Sequence, residues 1–85
     1  MEVTLKYFAW VRERVGTGEE RLTLPASAGT VRDVISWLKQ RGDNYAAAFE
    51  REDIIRAALD HIHATHDASV KGAREIAFFP PVTGG

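Results

Sequence analysis

The chain has 85 residues, 11 basic and 12 acidic side chains, a net charge of −1 and no cysteine. Its length supports one domain with a limited core (roughly 60–65% of the unfolded surface buried), and 45% hydrophobic and 9% aromatic content argue against disorder. Balanced, scattered charge offers no footprint for nucleic acid or an anionic membrane, and the missing thiols exclude disulfides, thiolate nucleophiles and cysteine-based zinc sites.

Along the chain, Val3, Leu5 and Tyr7 alternate with Thr4, Lys6 and Phe8, which predicts a half-buried strand with its apolar set at odd positions. Ala9 to Val15 fits a short helical turn closed by Gly16-Thr17-Gly18. Glu20 to Leu24 alternates again, with Leu22 and Leu24 inward, until Pro25 ends it. Thr30 with Asp33 three residues on resembles a capping box, and the carboxylate also suits the helix dipole. Val31, Val34, Ile35 and Leu38 then form an i, i+3, i+4, i+7 stripe, with Trp37 off its centre and Gly42 as a stop signal.

Tyr45 to Phe49 suits another helical turn, and a strand is expected within Ile54 to Ile62. His63 to Gly72 reads as a polar loop anchored by Val70. Glu75 to Phe79 is the last strand, with Ile76 and Phe78 on one face and Ala77 and Phe79 on the other. Pro80-Pro81 lacks donors for a ladder, so the sheet must end there. The order predicts an α+β fold, a mixed sheet curling around one main helix with the first and last strands neighbours in parallel at its centre. That is the β-grasp, or ubiquitin-like, arrangement, with a domain over residues 1–79 and a tail over 80–85.

The tail is where chemistry is expected. From Pro80 to Gly85 it can extend about 3.3 Å per residue, or roughly 20 Å. The prolines hold its base in a polyproline-like conformation, which lowers the entropy lost when a partner captures it. Val82 and Thr83 are β-branched and restricted, whereas Gly84 and Gly85 have no Cβ and thread narrow channels. A carboxylate at Gly85 can be activated by ATP as an acyl-adenylate and passed to a nucleophile. An idle end is the simpler alternative, since small residues are common at chain ends.

The stretch IAFFPPVTGG, Ile76 to Gly85, resembles the C-terminal signature of the small subunits of molybdopterin synthase, a family of ubiquitin-like sulfur carriers. The opening VTLKYFAWVRERVGTGEE resembles that family's first strand and helical turn, and TVRDVISWLKQRG its main helix. The family usually has an aspartate just before the last strand; Gly72-Ala73-Arg74-Glu75 lacks it, which implies a turn that is longer or differently hydrogen-bonded. The resemblance implies that Gly85 is adenylated and converted to a thiocarboxylate, which donates sulfur to cyclic pyranopterin monophosphate. It implies a large-subunit partner in a heterotetramer, an ATP-dependent E1-like activating enzyme using ATP with Mg, and a sulfur donor. It implies no cofactor on this chain and no catalytic activity from the chain alone.

With the resemblance in hand, Gly85 and Gly84 are the candidate reactive residues, and Phe79, Pro80, Pro81, Val82 and Thr83 the candidate partner-binding residues. Phe78 reads as core, whereas Phe79 fits either core or interface. His61, His63 and His66 form an H-x-H-x-x-H pattern: if His61 and His63 lay on a strand they would share a face and could bind a metal, whereas solvated loop histidines are the simpler alternative. Trp10 and Trp37 read as core or boundary packing. The N-terminus has no signal-peptide pattern and no stretch spans a bilayer, so a cytoplasmic protein is expected. Two other functions stay open: a modifier joined to lysines through Gly85, and a binding module whose tail does nothing.

Overall fold

The structure is a computed structural model and describes residues 1–81. Val82, Thr83, Gly84 and Gly85, four of the candidate site residues, lie outside the described residues.

The chain runs β1 (Glu2–Tyr7), α1 (Ala9–Val15), β2 (Glu19–Thr23), α2 (Val31–Lys39), α3 (Asp43–Ala48), a 3-10 turn (Glu52–Ile54), β3 (Arg56–Leu59), β4 (Ile62–Ala64) and β5 (Glu75–Phe79). The strands form one sheet in the order β2-β1-β5-β3-β4. β5 is parallel to β1, with Leu5 opposite Ile76 and Tyr7 opposite Phe78, and antiparallel to β3. The expected parallel central pair and the β-grasp arrangement are both present.

Helix α2 forms where its pattern predicts. Thr30 and Asp33 make the reciprocal capping box, and Val31, Val34, Ile35 and Leu38 are buried against the sheet. The Asp33 carboxylate also accepts from the Gly29 amide, so it engages two loop amides at the positive end of the helix. Gly42 does not stop this helix: α2 ends at Lys39, and Gly42 is the N-cap of α3. A left-handed backbone does close α1, at Gly16 (φ 97), whose amide donates to the Arg12 carbonyl.

The sheet face under α2 holds the core. Tyr7, Phe49 and Phe78 form an aromatic trio there, with the Phe49 and Phe78 rings edge-to-face at 5.1 Å. Val70 is buried as expected, and its amide donates to the Gly29 carbonyl, which pins the long connector beneath the helix start. Trp10 and Trp37 are partly buried at the boundary of this core.

One strand was not anticipated. β4 falls partly inside the segment read as loop, and pairs with β3 through Ala57–Ala64, Ala58–His63 and Leu59–Ile62. The two residues between them, Asp60 at φ 49 and His61 at φ 72, are both left-handed, as a tight type I′ hairpin requires. Such turns are usually signalled by Asn-Gly or Asp-Gly, and the signal is absent here.

Candidate functional site

The tail leaves from the middle of the sheet. β5 sits between β1 and β3, so its last two residues are held from either side, Phe78 by the Phe8 amide donating to its carbonyl at 3.1 Å and Phe79 by pairing with Arg56. Pro80 and Pro81 follow, half-buried and unable to donate, and the ladder stops. A strand end paired on both sides and a stiff proline pair thus fix the point from which the chain continues beyond Pro81.

The alternation of β5 sorts its side chains as the sequence indicates. Ile76 and Phe78 enter the core, and Ala77 and Phe79 face the side of the sheet that carries no helix. Phe79 is half-buried and meets the His63 ring edge-to-face at 5.3 Å. It therefore belongs to the open face, not to the core. Cross-strand partners on that face are Lys6, Ala77, Ala58 and His63 in one row, with Phe79 and Arg56 in the next. The small side chains of Ala58 and Ala77 keep the centre of the row low.

Phe8 was not singled out by its sequence. It follows Tyr7 in the alternation, so it falls on the open face in register with Phe79, and it is 47% exposed. An aromatic residue left in water beside the root of the tail is the signal that identifies it. Phe8, Phe79, Pro80 and Pro81 together surround the point where the chain departs.

Charge near the site is mostly paired. Lys6 Nζ lies 3.1 Å from Glu75 and 3.9 Å from Glu19, linking three strands. The turn before β5, which lacks the expected aspartate, is hydrogen-bonded by a residue from elsewhere: Asp60 accepts from both the Arg74 and Glu75 amides at 3.0 Å. The Asp60 amide in turn donates to the Glu75 carbonyl. The hairpin turn between β3 and β4 thus secures the start of the strand that ends in the tail.

A polar cluster lies at the other side of the molecule. Tyr7 and Tyr45 both donate to Glu20 at 2.7 Å, and Arg41 lies 3.5 Å from the same carboxylate. Burial pushes the Tyr7 pKa well above its ordinary value, and the hydrogen bond to Glu20 adds to the shift; Tyr45 is raised for the same two reasons. Glu20 faces the core side along with Leu22, which the alternation of β2 contains and the apolar residues alone do not reveal.

The histidines do not assemble. Only His63 lies on a strand, His61 is in the turn 3.6 Å from Glu75, and His66 bonds the Ile55 carbonyl at 2.7 Å. His66 is therefore a partly buried structural residue, not a solvated one. Among the described residues no group of three or more His, Cys, Asp or Glu is arranged to hold a metal, and no helix is long and apolar enough to cross a membrane.

A mixed five-stranded sheet with its C-terminal strand at the centre and a main helix packed on one face defines a class: ubiquitin-like β-grasp proteins. Residues 5–85 match the ThiS family, and the chain belongs to that family. It is 37% identical over 79 residues to a molybdopterin synthase sulfur carrier subunit of Haemophilus influenzae, covering 93% of this chain and 94% of that one. Among solved structures it resembles a Pyrococcus furiosus protein described as putative molybdopterin converting factor, subunit 1 (TM-score 0.74, 30% identity, 96% and 99% of the two chains). It also resembles small archaeal modifier protein 1 of Methanosarcina acetivorans (TM-score 0.71, 26% identity, 99% and 96%).

Proposed function

We propose that this protein is a sulfur carrier of molybdenum-cofactor biosynthesis, and that Gly85 carries the sulfur. What supports the reading most is that the family match runs through the whole tail to Gly85, on a fold whose central strand ends at Pro80-Pro81. In this reading an E1-like enzyme uses ATP with Mg to adenylate the Gly85 carboxylate, releasing pyrophosphate. A sulfur nucleophile then displaces AMP and leaves a thiocarboxylate. Inside a large subunit the sulfur attacks a carbon of cyclic pyranopterin monophosphate and displaces an oxygen substituent there; water then hydrolyses the acyl carbon–sulfur bond to Gly85, which restores the carboxylate and leaves the sulfur on the pterin.

Each part of the tail has a physical role in that cycle. Gly84 and Gly85 pass through channels that a Cβ would block. Val82 and Thr83 are restricted spacers, and Pro80 and Pro81 set the direction of departure. Phe79, with Phe8 beside it, anchors the large subunit on the open face, where aromatic anchors contribute most when a partner covers them. The chain binds no cofactor, works in the cytoplasm, and pairs with the large subunit in a heterotetramer. The acids and bases of the reaction belong to the partner, and the chain alone turns nothing over.

Incubation with ATP, an activating enzyme and a sulfur donor should exchange one oxygen for sulfur at the C-terminus, read by intact mass. Recovery only of isopeptide-linked conjugates would instead assign a modifier, the reading favoured by the likeness to the archaeal modifier protein. Gly85→Ala is expected to reduce thiocarboxylate formation at least tenfold, about 1.4 kcal/mol in activation free energy, with an unchanged melting temperature. A matching loss of stability would count against a purely chemical role.

A further inference from the structure

Phe79 has a cationic neighbour. Arg56 pairs with it across β3 and β5, and the His63 ring meets it edge-to-face at 5.3 Å. Alternation puts Arg56, His63 and Phe79 on the open face, because the row between them, Ala57 with Phe78 and Ala64, points to the core. Arg56, His63 and Thr65, all exposed, also line a groove of about 490 Å³ beside Pro81. These donor-bearing side chains therefore border the aromatic anchor.

Other charge around the groove is already matched. Its acidic lining residue, Asp53, is held by Arg51 at 3.4 Å, and neighbouring Glu52 by Lys39 at 3.3 Å. His66 is committed to the Ile55 carbonyl at 2.7 Å. Arg56 joins no ion pair among the described residues. A guanidinium presents its donors in a flat fork that fits a carboxylate bidentately. A lone cation balances the single charge of a carboxylate and leaves a phosphate dianion short. The Thr65 hydroxyl and a His63 ring N–H are further donors on the same rim.

We propose that Arg56, with His63 and Thr65, receives an aspartate or glutamate side chain of the protein that docks on the open face. The inference rests on the carrier reading, in which that protein is the large subunit. The partner surface that fits is then apolar where it covers Phe8 and Phe79 and acidic where it reaches Arg56. Apolar contact is non-directional, so burial of the two rings alone would leave the partner free to slide or turn. A bidentate ion pair at one corner fixes its register and disfavours partners that lack the acid.

The test is a calorimetric titration of a large subunit with the parent chain, Arg56→Gln, Arg56→Lys and Phe79→Asp. Arg56 is exposed, so its variants should fold as the parent does. Arg56→Gln should weaken binding about tenfold in low salt, and the gap should narrow as salt rises from about 0.05 to about 0.5 M. Arg56→Lys keeps the charge without the fork and should recover part of the loss. It also supplies an amine, so carbodiimide treatment of its complex should join position 56 to an aspartate or glutamate of the large subunit, located by mass spectrometry of the digest. Unchanged affinity of Arg56→Gln, a gap indifferent to salt, or no such cross-link overturns the proposal. Amide signals of Arg56 and His63 that move with millimolar inorganic phosphate but not with acetate assign a phosphate site and overturn it too. Phe79→Asp separates this inference from the reading beneath it. If Phe79→Asp weakens binding and Arg56→Gln does not, the carboxylate receptor alone falls; if neither does, docking on the open face falls with it.

Discussion

Phe78 and Phe79 are neighbours on one strand with opposite surroundings. Phe78 is fully buried, stacked on Tyr7 and edge-on to Phe49 beneath the helices. Phe79 stands on the uncovered face against His63, in register with exposed Phe8. The difference follows from the two-residue period of a strand, which sends successive side chains to opposite faces. It also separates the two faces of β5: one is packed into the core, and the other is covered by no helix. A register slip of one residue would exchange the two roles.

Substitutions that probe the two faces should rank accordingly. Phe78→Ala removes the centre of the aromatic trio and should cost about 3–5 kcal/mol, enough to unfold much of so small a domain; a loss below about 1 kcal/mol in a urea titration would mean the trio is not the core's centre. Asp60→Ala should cost about 2 kcal/mol, because it removes the acceptor of two amides and places alanine at a left-handed position. Asp60→Asn keeps one acceptor and tolerates that backbone, so it should recover most of the loss. If both variants melt together, the hairpin turn does not secure β5.

The Tyr7 hydroxyl sharpens the contrast from the core side. Its pKa is raised in the folded state, so the neutral form is the one the fold favours. The resulting stability is fully present below the ~10 of an unfolded tyrosine and is lost as pH climbs from there toward the folded value. Denaturation midpoints should hold steady through neutral pH and fall above about pH 10. Tyr7→Phe should cost about 1 kcal/mol at neutral pH and make that alkaline fall shallower; an unchanged slope would remove Tyr7 as its source.

Phe79→Asp is the mildest change to the domain and the severest to its surface. Folding stability should shift by less than about 1 kcal/mol, since the side chain lies outside the core. Binding to a large subunit should weaken at least tenfold in a calorimetric titration, the equivalent of about 1.4 kcal/mol. Unchanged affinity would show that the open face is not the docking surface.

The legible parts of this fold are those whose signals are local. A capping box and an i, i+3, i+4, i+7 stripe need only neighbours in sequence, and α2 formed where they pointed. The double proline had the same quality, because the missing amide ends a ladder in any context. β4 was not legible. It is three residues long, follows a turn without glycine, and includes Ile62 at 72% exposure, so neither period nor turn chemistry marks it. Its pairing with β3 exists only because β3 is already fixed against β5.

The site divides the same way. By itself the sequence determined the double proline at which the ladder ends and the opposite faces of Phe78 and Phe79, since these follow from residue type and strand period. Tertiary structure alone decided that Phe8 stands beside Phe79, that Asp60 replaces the absent aspartate at the start of β5, that His66 is structural, and that a groove opens beside Pro81. Each of those joins residues far apart in the chain, and distance along a sequence carries no information about register across a sheet.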